Sequence, residues 1–366
     1  MELAIIGLAK SGKTTLFNAL SRGHAQTAAF GRTSIEPNIA VVKVPDDRLD
    51  KLAEQHKSAK IVHAEVQYLD MGGTPERFGK GEGFTGPLLN ALARVDALIH
   101  IVRAFPDPSL PHPLGSVDAE RDIETINLEL AYTDAALIER RVDRLNESLK
   151  STAASERDAK IAEGKWLTAM KDDLEAGTPI RAMSLTEDQQ RALINVSLLT
   201  ARPLLVLVNI AEDQLPGQSQ LEESLRARFS GPGLDVIVAC GQLEMELAQM
   251  EPDEAEEMRQ ALELSTSSLD RVIQESYRLL GLISFLTTGP DETRAWTITN
   301  GTNAQKAAGK IHTDLEKGFI RSETINWQQL LDAGGWNEAK KRGILRTEGK
   351  TYIMQDGDVV NILFSK

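Results

Sequence analysis

The chain has 366 residues, room for two or three domains at roughly 150 residues each. Its 41% hydrophobic and 26% charged content excludes wholesale disorder, and 5% aromatics leave the core to aliphatic side chains. A net charge of −13 disfavours a surface that coats nucleic acid throughout, so DNA is not an expected partner. The single cysteine, Cys240, excludes an internal disulfide and a multi-cysteine metal site, and fits a reducing compartment. No run approaches the roughly 20 apolar residues of a membrane span, and the opening MELAIIG is too short for a signal peptide. The expectation is a cytoplasmic, multi-domain protein with no membrane partner.

Apolar runs of strand length lie at Leu3 to Ile6, Ile39 to Val44, Val66 to Leu69, Ala97 to Val102, Leu204 to Val208 and Val236 to Ala239. Several are almost continuously apolar, as in a parallel sheet covered on both faces, and helical patterns follow Gly12, Gly86 and Gln218. That predicts an α/β, doubly wound, mostly parallel sheet. Between about Ile123 and Thr200 the alternation stops. Ile126, Leu130, Leu137, Ile138, Val142, Leu145 and Leu149 recur at spacings of three, four and seven, which describes a long amphipathic helix. A second helix to Glu175 and a third opened by a capping box at Ser184 to Glu187 complete a helical, partly coiled-coil-like insertion. Glu244 to Glu263 is strongly acidic and reads as a solvated helical face. After Leu280, strands at Arg294 to Thr299, Tyr352 to Met354 and Val359 to Phe364, with a helix around Ala304 to Lys317, form a closing α+β unit. Residues 279–366 hold 11 Lys and Arg against 10 Asp and Glu, the least acidic part of the chain, where an RNA contact meets the least repulsion. The expected segments are 1–122, 123–200, 201–278 and 279–366.

Gly7 to Thr14 reads GLAKSGKT, a full G-x-x-x-x-G-K-[ST] match between an apolar strand and the helical TLFNAL. Amides of Ala9, Lys10, Ser11, Gly12, Lys13, Thr14 and Thr15 can cradle phosphates. Lys13 can reach the β- and γ-phosphates and assist catalysis, and the Thr14 hydroxyl can bind Mg²⁺. Asp70-Met-Gly-Gly73 follows a strand and supplies the second half of that metal site, Asp70 acting through a water and the Gly73 amide sensing the γ-phosphate. The glycine-dense KGEGFTG from Lys80 suits a mobile switch. Asn209-Ile-Ala-Glu212 ends the strand LLVLV where GTPases carry N-K-x-D, with Ile210 for the lysine and Glu212 for the aspartate. A carboxylate there accepts both guanine N1–H and N2–H, whereas adenine presents an acceptor at N1. An asparagine amide suits adenine N6 and N7. The altered motif weakens the guanine reading and leaves ATP and GTP both open as substrates.

With these pieces in order, the chain resembles the YchF family of Obg-like ATPases over nearly its whole length. The matches are SIEPNIAVVKVPDDRLDKL from Ser34, KGEG from Lys80, NIAE from Asn209, and RAWTITNGTNAQKAAGKIHTDLEKGFIRSE with EGKTYIMQDGDVV. The last pair resembles that family's TGS domain, a ubiquitin-like β-grasp. The resemblance implies a P-loop NTPase G domain (1–122 and 201–278) interrupted by the helical domain (123–200) and closed by the TGS domain (279–366). It implies ATP accepted in preference to GTP, and association with the ribosome or its RNA. It also implies that Asn209 reads adenine, that Cys240 and Gly241 form the loop behind the base, and that His112, in FPDPSLPHPLGSVD, is the catalytic histidine.

Three positions depart from the family pattern. Thr74 and Pro75 follow D-x-x-G where an apolar residue is usual; Ser34, preceded by Thr33, takes the place of a Mg²⁺-binding threonine, with Arg32 nearby. In the P-loop, G-x-P-N-V-G-K-S becomes GLAKSGKT, so that Lys10 stands where related NTPases use an asparagine to help hold K⁺. A tethered ammonium in that place implies no K⁺ dependence. The leading expectation is a slow, switch-like ATPase. The alternatives are a nucleotide-gated ribosome- or RNA-binding module with little or no hydrolysis, and a regulatory GTPase.

Overall fold

The structure is a computed structural model and describes every residue except 22–36, 72–83, 85, 152, 195, 263, 265–266 and 366. The chain divides into two compact units, Met1–Val41 with Gln67–Val272, and Val42–Val66 with Ile273–Lys366. Ser34, Arg32, Thr33, Gly73, Thr74, Pro75 and most of KGEGFTG lie outside the described residues.

The first sheet uses β1 (Glu2–Ile6), β2 (Asn38–Lys43), β4 (Glu65–Asp70), β5 (Ala97–Arg103), β6 (Leu204–Asn209) and β7 (Leu234–Ala239), while β3 (Ile61–Val62) joins a second sheet. Its order is β2-β4-β1-β5-β6-β7, and β1 pairs in parallel with β4 and β5, β5 with β6, and β6 with β7. Every residue of β5 and β6 is buried, which is why both read as unbroken apolar runs. Helices α1 (Lys13–Leu20), α2 (Asp47–His56), α3 (Gly86–Leu92), α4 (Ala119–Ser148), α5 (Ala154–Glu175), α6 (Glu187–Leu193), α7 (Gln218–Phe229), α8 (Gly241–Leu247), α9 (Pro252–Ala261) and α10 (Ser268–Leu279) follow in chain order. Among the described residues no helix is long and apolar enough to cross a membrane.

The long helix α4 serves two cores. Ile123, Ile126 and Leu130 pack with Ala4, Leu98 and Val206 of the sheet. One to four turns further on, Ala131 and Ile138 pack with Leu167, Met170 and Leu174 of α5. The ion pairs Arg141–Glu163 and Lys171–Glu139 join the two helices at 2.5 and 2.7 Å, where solvent screening keeps such pairs weak. The third helix starts two residues later than the motif predicts. Its cap is Thr186, whose Oγ1 accepts the Gln189 N–H at 3.3 Å while Gln189 Oε1 accepts the Thr186 N–H at 2.9 Å. Thr-Glu-Asp-Gln satisfies the same rule as Ser-Leu-Thr-Glu, and here both reciprocal bonds form.

The second sheet has the order β11-β10-β12-β8-β9-β3, from β8 (Leu282–Thr288), β9 (Thr293–Thr299), β10 (Phe319–Asn326), β11 (Arg346–Glu348) and β12 (Asp358–Phe364). Strand β12 runs parallel to β8 at its centre; β8 with β9, and β10 with β11 and β12, are antiparallel. This is the β-grasp arrangement. Helix α11 (Ala304–Ile311) covers one face, its Ala304, Ala307 and Ala308 packing on Phe285, Ile298, Phe319 and Val360. The expected single helix to Lys317 is broken at His312 (φ −163°, ψ 143°), beyond which α12 (Thr313–Lys317) begins. Tyr352 to Met354 is not a strand. Only an isolated bridge, Ile353 to Asn303, survives there, because the segment bends into the turn that opens β12. Helices α13 (Trp327–Ala333) and α14 (Trp336–Lys341) lie between β10 and β11 in the chain.

Residues 42–66 depart from the expected segment 1–122, for they belong to the second unit. The reason is backbone pairing. Ile61 and Val62 sit in register with Thr293 and Arg294 of β9. The Ala59 N–H donates to Pro290 O and the Thr293 N–H to Lys60 O, each at 2.9 Å. Side chains add to this: Gln55 Nε2 donates to Leu331 O at 2.8 Å, and Arg48 pairs with Asp356 at 2.6 Å.

Asp134 on α4 ties the end of the helical segment to the sheet. It is fully buried, and its carboxylate accepts the Leu199 N–H at 2.8 Å, the Thr200 N–H at 2.7 Å and the Thr200 hydroxyl at 2.6 Å. Burial raises its pKa to about 6, against the pull of those donors and of Arg181. A folded-state pKa above the unfolded one means the native state holds the proton more tightly. The stabilisation is complete below about pH 4 and is lost as pH rises through 6. Asp134→Asn is expected to cost about 1–3 kcal/mol at neutral pH by setting an NH₂ against at least one backbone N–H donor, and to flatten the decline in stability between about pH 4 and 6. Urea unfolding of both proteins across that range checks this.

Candidate nucleotide site

The loop between β1 and α1 is shaped by two close approaches. Gly7 has φ +147°, and a Cβ there would lie 2.3 Å from the Ile101 carbonyl oxygen. Gly12 has φ +94° and caps α1 with no side-chain hydrogen bond, so the amides of the first turn have no capping side chain. A Cβ on Gly12 would lie 2.2 Å from Asn209 Nδ2. Inside the loop the Ser11 hydroxyl is buried and has no partner among the described residues. A loop with an unpaired hydroxyl at the start of an uncapped helix fits a phosphate group.

Lys13 turns back over this loop, its Nζ donating to Gly7 O at 3.1 Å and Leu8 O at 2.8 Å. Burial lowers its pKa to about 8, partly opposed by the charge of Asp70. The Thr14 hydroxyl donates to Asp70 Oδ2 at 3.3 Å, so the two metal-site candidates of the described chain meet although they are 56 residues apart. Hydroxyl and carboxylate are the hard oxygen donors Mg²⁺ takes, and one carboxylate leaves room for waters and phosphate oxygens. The residues fit that ion.

Asn209, expected to read the base, has its amide engaged elsewhere. It is buried, Nδ2 donates to Ser11 O at 3.1 Å, and Oδ1 accepts the Gly241 N–H at 2.9 Å. It therefore stitches the phosphate loop to the loop behind the base. Gly241 is small for the same reason, since a Cβ would come within 2.9 Å of Leu16 and 3.0 Å of Asn209 Oδ1. The Ile210 and Cys240 side chains are buried in the same apolar cluster, so neither offers a side chain to a nucleotide, and burial pushes the Cys240 thiol pKa up. Glu212 is exposed at the start of a short 3₁₀ turn. Lys10 is exposed with φ +63°, a left-handed conformation that asparagine accepts more readily than lysine.

His112 is held inside its own loop. Its Nδ1 accepts the Leu114 N–H at 3.2 Å, which leaves the proton on Nε2, 2.9 Å from Asp122 Oδ2. Both side chains are buried, at 3% and 2% exposure, so in this conformation no ring nitrogen is free to hold a water.

Two further residues carry weight that sequence reasoning missed. Arg103, at the end of β5, organises the loop ahead of His112 by donating to the carbonyls of Phe105, Leu110 and Asp107 at 3.0, 2.8 and 3.3 Å. The apolar run IHIV hid it as a strand end. His100 on β5 is fully buried beside Ile6, in the register just ahead of the phosphate loop, with both ring nitrogens unpartnered among the described residues. Burial, with the Lys13 charge adding to it, lowers its pKa to about 3, so it stays neutral.

The Lys13 ammonium has a pH consequence. Below pH 8 the free protein carries the charge, whereas above it a proton must be taken up before phosphates are gripped. Nucleotide affinity is expected to fall by up to about tenfold per pH unit above 8, with proton uptake on binding. Calorimetric titration at pH 9, in two buffers of different ionisation enthalpy, checks it.

A family model described as 50S ribosome-binding GTPase matches residues 2–139, and one described as YchF-GTPase_C, a protein of unknown function, matches residues 282–365. The chain is 39% identical to the ribosome-binding ATPase YchF of Bacillus subtilis, covering 100% of this chain and 99% of that one. It is 36% identical to Obg-like ATPase 1 of Caenorhabditis elegans, covering 100% and 92%. A solved structure of the Schizosaccharomyces pombe YchF GTPase superposes with a TM-score of 0.84 at 31% identity, covering 99% of this chain and 97% of that one. With full-length identity of this size on top of the P-loop, the Thr14–Asp70 pair and the β-grasp, the chain belongs to the YchF family.

Proposed function

We propose that the protein is a slow, switch-like ATPase of the cytoplasm that associates with the ribosome. The observation that carries this reading is the convergence of Lys13, Thr14 and Asp70 around the uncapped start of α1. Ribosome binding rests on the names of relatives alone. In the mechanism, the backbone amides of Ala9 to Thr15 bind the phosphate chain. Lys13 leaves the Gly7 and Leu8 carbonyls for the β- and γ-phosphates and balances the charge that builds as water attacks in line. Thr14 and Ser34 would hold Mg²⁺, with Asp70 acting through a water, and the ion would supply neutralisation of phosphate charge. Gly73 senses the γ-phosphate. His112 orients the attacking water once its loop releases it from Asp122.

Adenine preference rests on Ile210 and Glu212 standing where guanine readers place lysine and aspartate. With the Asn209 amide committed to two loops, one of its N–H groups and one lone pair are left for a base. Competition titration with labelled ATP is the test. Displacement by ATP at concentrations where GTP is silent is expected, and tight GTP binding with negligible ATP binding overturns the assignment. Single-turnover hydrolysis is expected in the wild type and reduced about 10²-fold or more in His112→Ala. No product in either protein supports the alternative, a nucleotide-gated binding module.

Lys10 occupies a strained backbone position, and its gain is the charge it brings to the phosphates. Exchanging K⁺ for Na⁺ is expected to leave turnover unchanged. A large K⁺ stimulation would falsify the assignment of that role to Lys10.

A further inference from the structure

The second unit contains a cavity of about 920 Å³, bounded by the β8–β9 hairpin, the end of β12, the turn between α13 and α14, and His56 of α2. Sites of this size accept a ligand of several residues rather than one side chain. Trp336 and Phe364 are its aromatic walls, Phe364 being 40% exposed, and Ile362 and Val360 form an apolar floor.

The polar side chains on its lining include Thr287, Thr288, Asn337 and Asn361, and its charged groups are mostly acidic. Asp291, Glu292 and Glu323 bring three carboxylates. Glu292 is balanced by Arg294 at 2.8 Å and Lys60 at 3.8 Å. Glu323 accepts from Asn361 at 3.1 Å and has Lys340 at 3.9 Å. Asp291 is exposed and makes no ion pair among the described residues. His56 donates from Nδ1 to Leu52 O at 3.0 Å, and its Nε2 is buried without a partner among them. Lys340 is the one cation on the lining and points largely to solvent. The neighbouring cations are occupied, Lys341 by Glu338 at 2.6 Å and Arg342 by Asp332 O at 3.3 Å.

Carboxylates and aromatic side chains around apolar residues call for a cationic guest with apolar flanks. The guanidinium group pairs with the first and stacks on the second. The chain already uses it so in this unit, stacking Arg294 on Trp296 at 4.9 Å and Arg346 on Tyr352 at 5.3 Å. We infer that this cavity is a docking site for an arginine-bearing, apolar-flanked segment of a partner protein. A phosphate backbone would face the carboxylates and is disfavoured. The site stands on its own geometry, so its failure leaves the nucleotide reading untouched.

The test uses the full-length protein and fluorescence anisotropy of a labelled peptide that alternates arginine and leucine. Saturable binding that weakens with salt is expected, with little from the same peptide carrying glutamate for arginine. Trp336→Leu, which keeps apolar bulk but removes the ring, and the surface change Asp291→Asn are each expected to weaken binding about tenfold, with melting temperatures unchanged. Lys13→Ala is expected to bind the peptide like wild type. Absence of saturable binding, equal binding of the glutamate peptide, displacement by oligouridylate at lower concentration than by peptide, or wild-type affinity in both variants would each overturn the inference.

Discussion

The phosphate loop after β1 and the Cys240–Gly241 loop after β7 leave the same edge of the parallel sheet from strands that are not neighbours, and one carboxamide makes them a single object. Asn209 donates to Ser11 on one side and accepts from Gly241 on the other, in a place too tight for a Cβ at Gly12 or Gly241. A buried hydrogen bond whose partner is left unpaired costs about 1–3 kcal/mol, so the bridge holds both loops to one geometry. Everything that grips phosphate hangs on that geometry: the start of α1, the lysine folded over the loop and the hydroxyl facing Asp70. The glycines and the asparagine form one steric unit, and the residue usually credited with recognition acts here first as a brace.

Charge around that brace is arranged by burial as much as by pairing. Lys13 loses part of its hydration and has Asp70 as its counter-charge among the described residues, while His100 behind the loop is held neutral. The pocket is thus less cationic than its residue content suggests. Lys10 adds a solvated charge on a backbone conformation that an L-residue with a side chain adopts at a cost. The strain lies where the phosphates arrive.

Much of this was legible in the sequence because it is local. Strands β5 and β6 of the first sheet are buried on both faces, so apolarity alone outlines them. GLAKSGKT carries its glycines at the two positions where backbone approach demands them. What sequence reasoning missed depends on distant partners. β3 is two residues long and exists only because β9, more than 200 residues later, pairs with it. Tyr352 to Met354 has strand composition but no neighbour to pair with beyond one bridge. The Ile210 side chain, read as an altered recognition residue, lies in the core, and the Asn209 amide, read as a base contact, also bridges Ser11 and Gly241. Side-chain direction at a strand end is set by tertiary packing, which spacing does not encode.

The excursion of residues 42–66 has a consequence for how the molecule can be divided. The chain leaves the nucleotide-binding unit within β2, builds a helix and a strand into the β-grasp unit, and returns through β4 three residues before Asp70. No single cut between residues 272 and 273 therefore yields two intact halves. A truncated front portion would keep α2 and β3 without the hairpin and helix that complete them, and the detached back portion would lack an edge of its sheet. Recombination that swaps the tail of one such protein for another must also exchange this short loop of the front portion. That loop and the tail, though far apart in the chain, are obliged to diverge together.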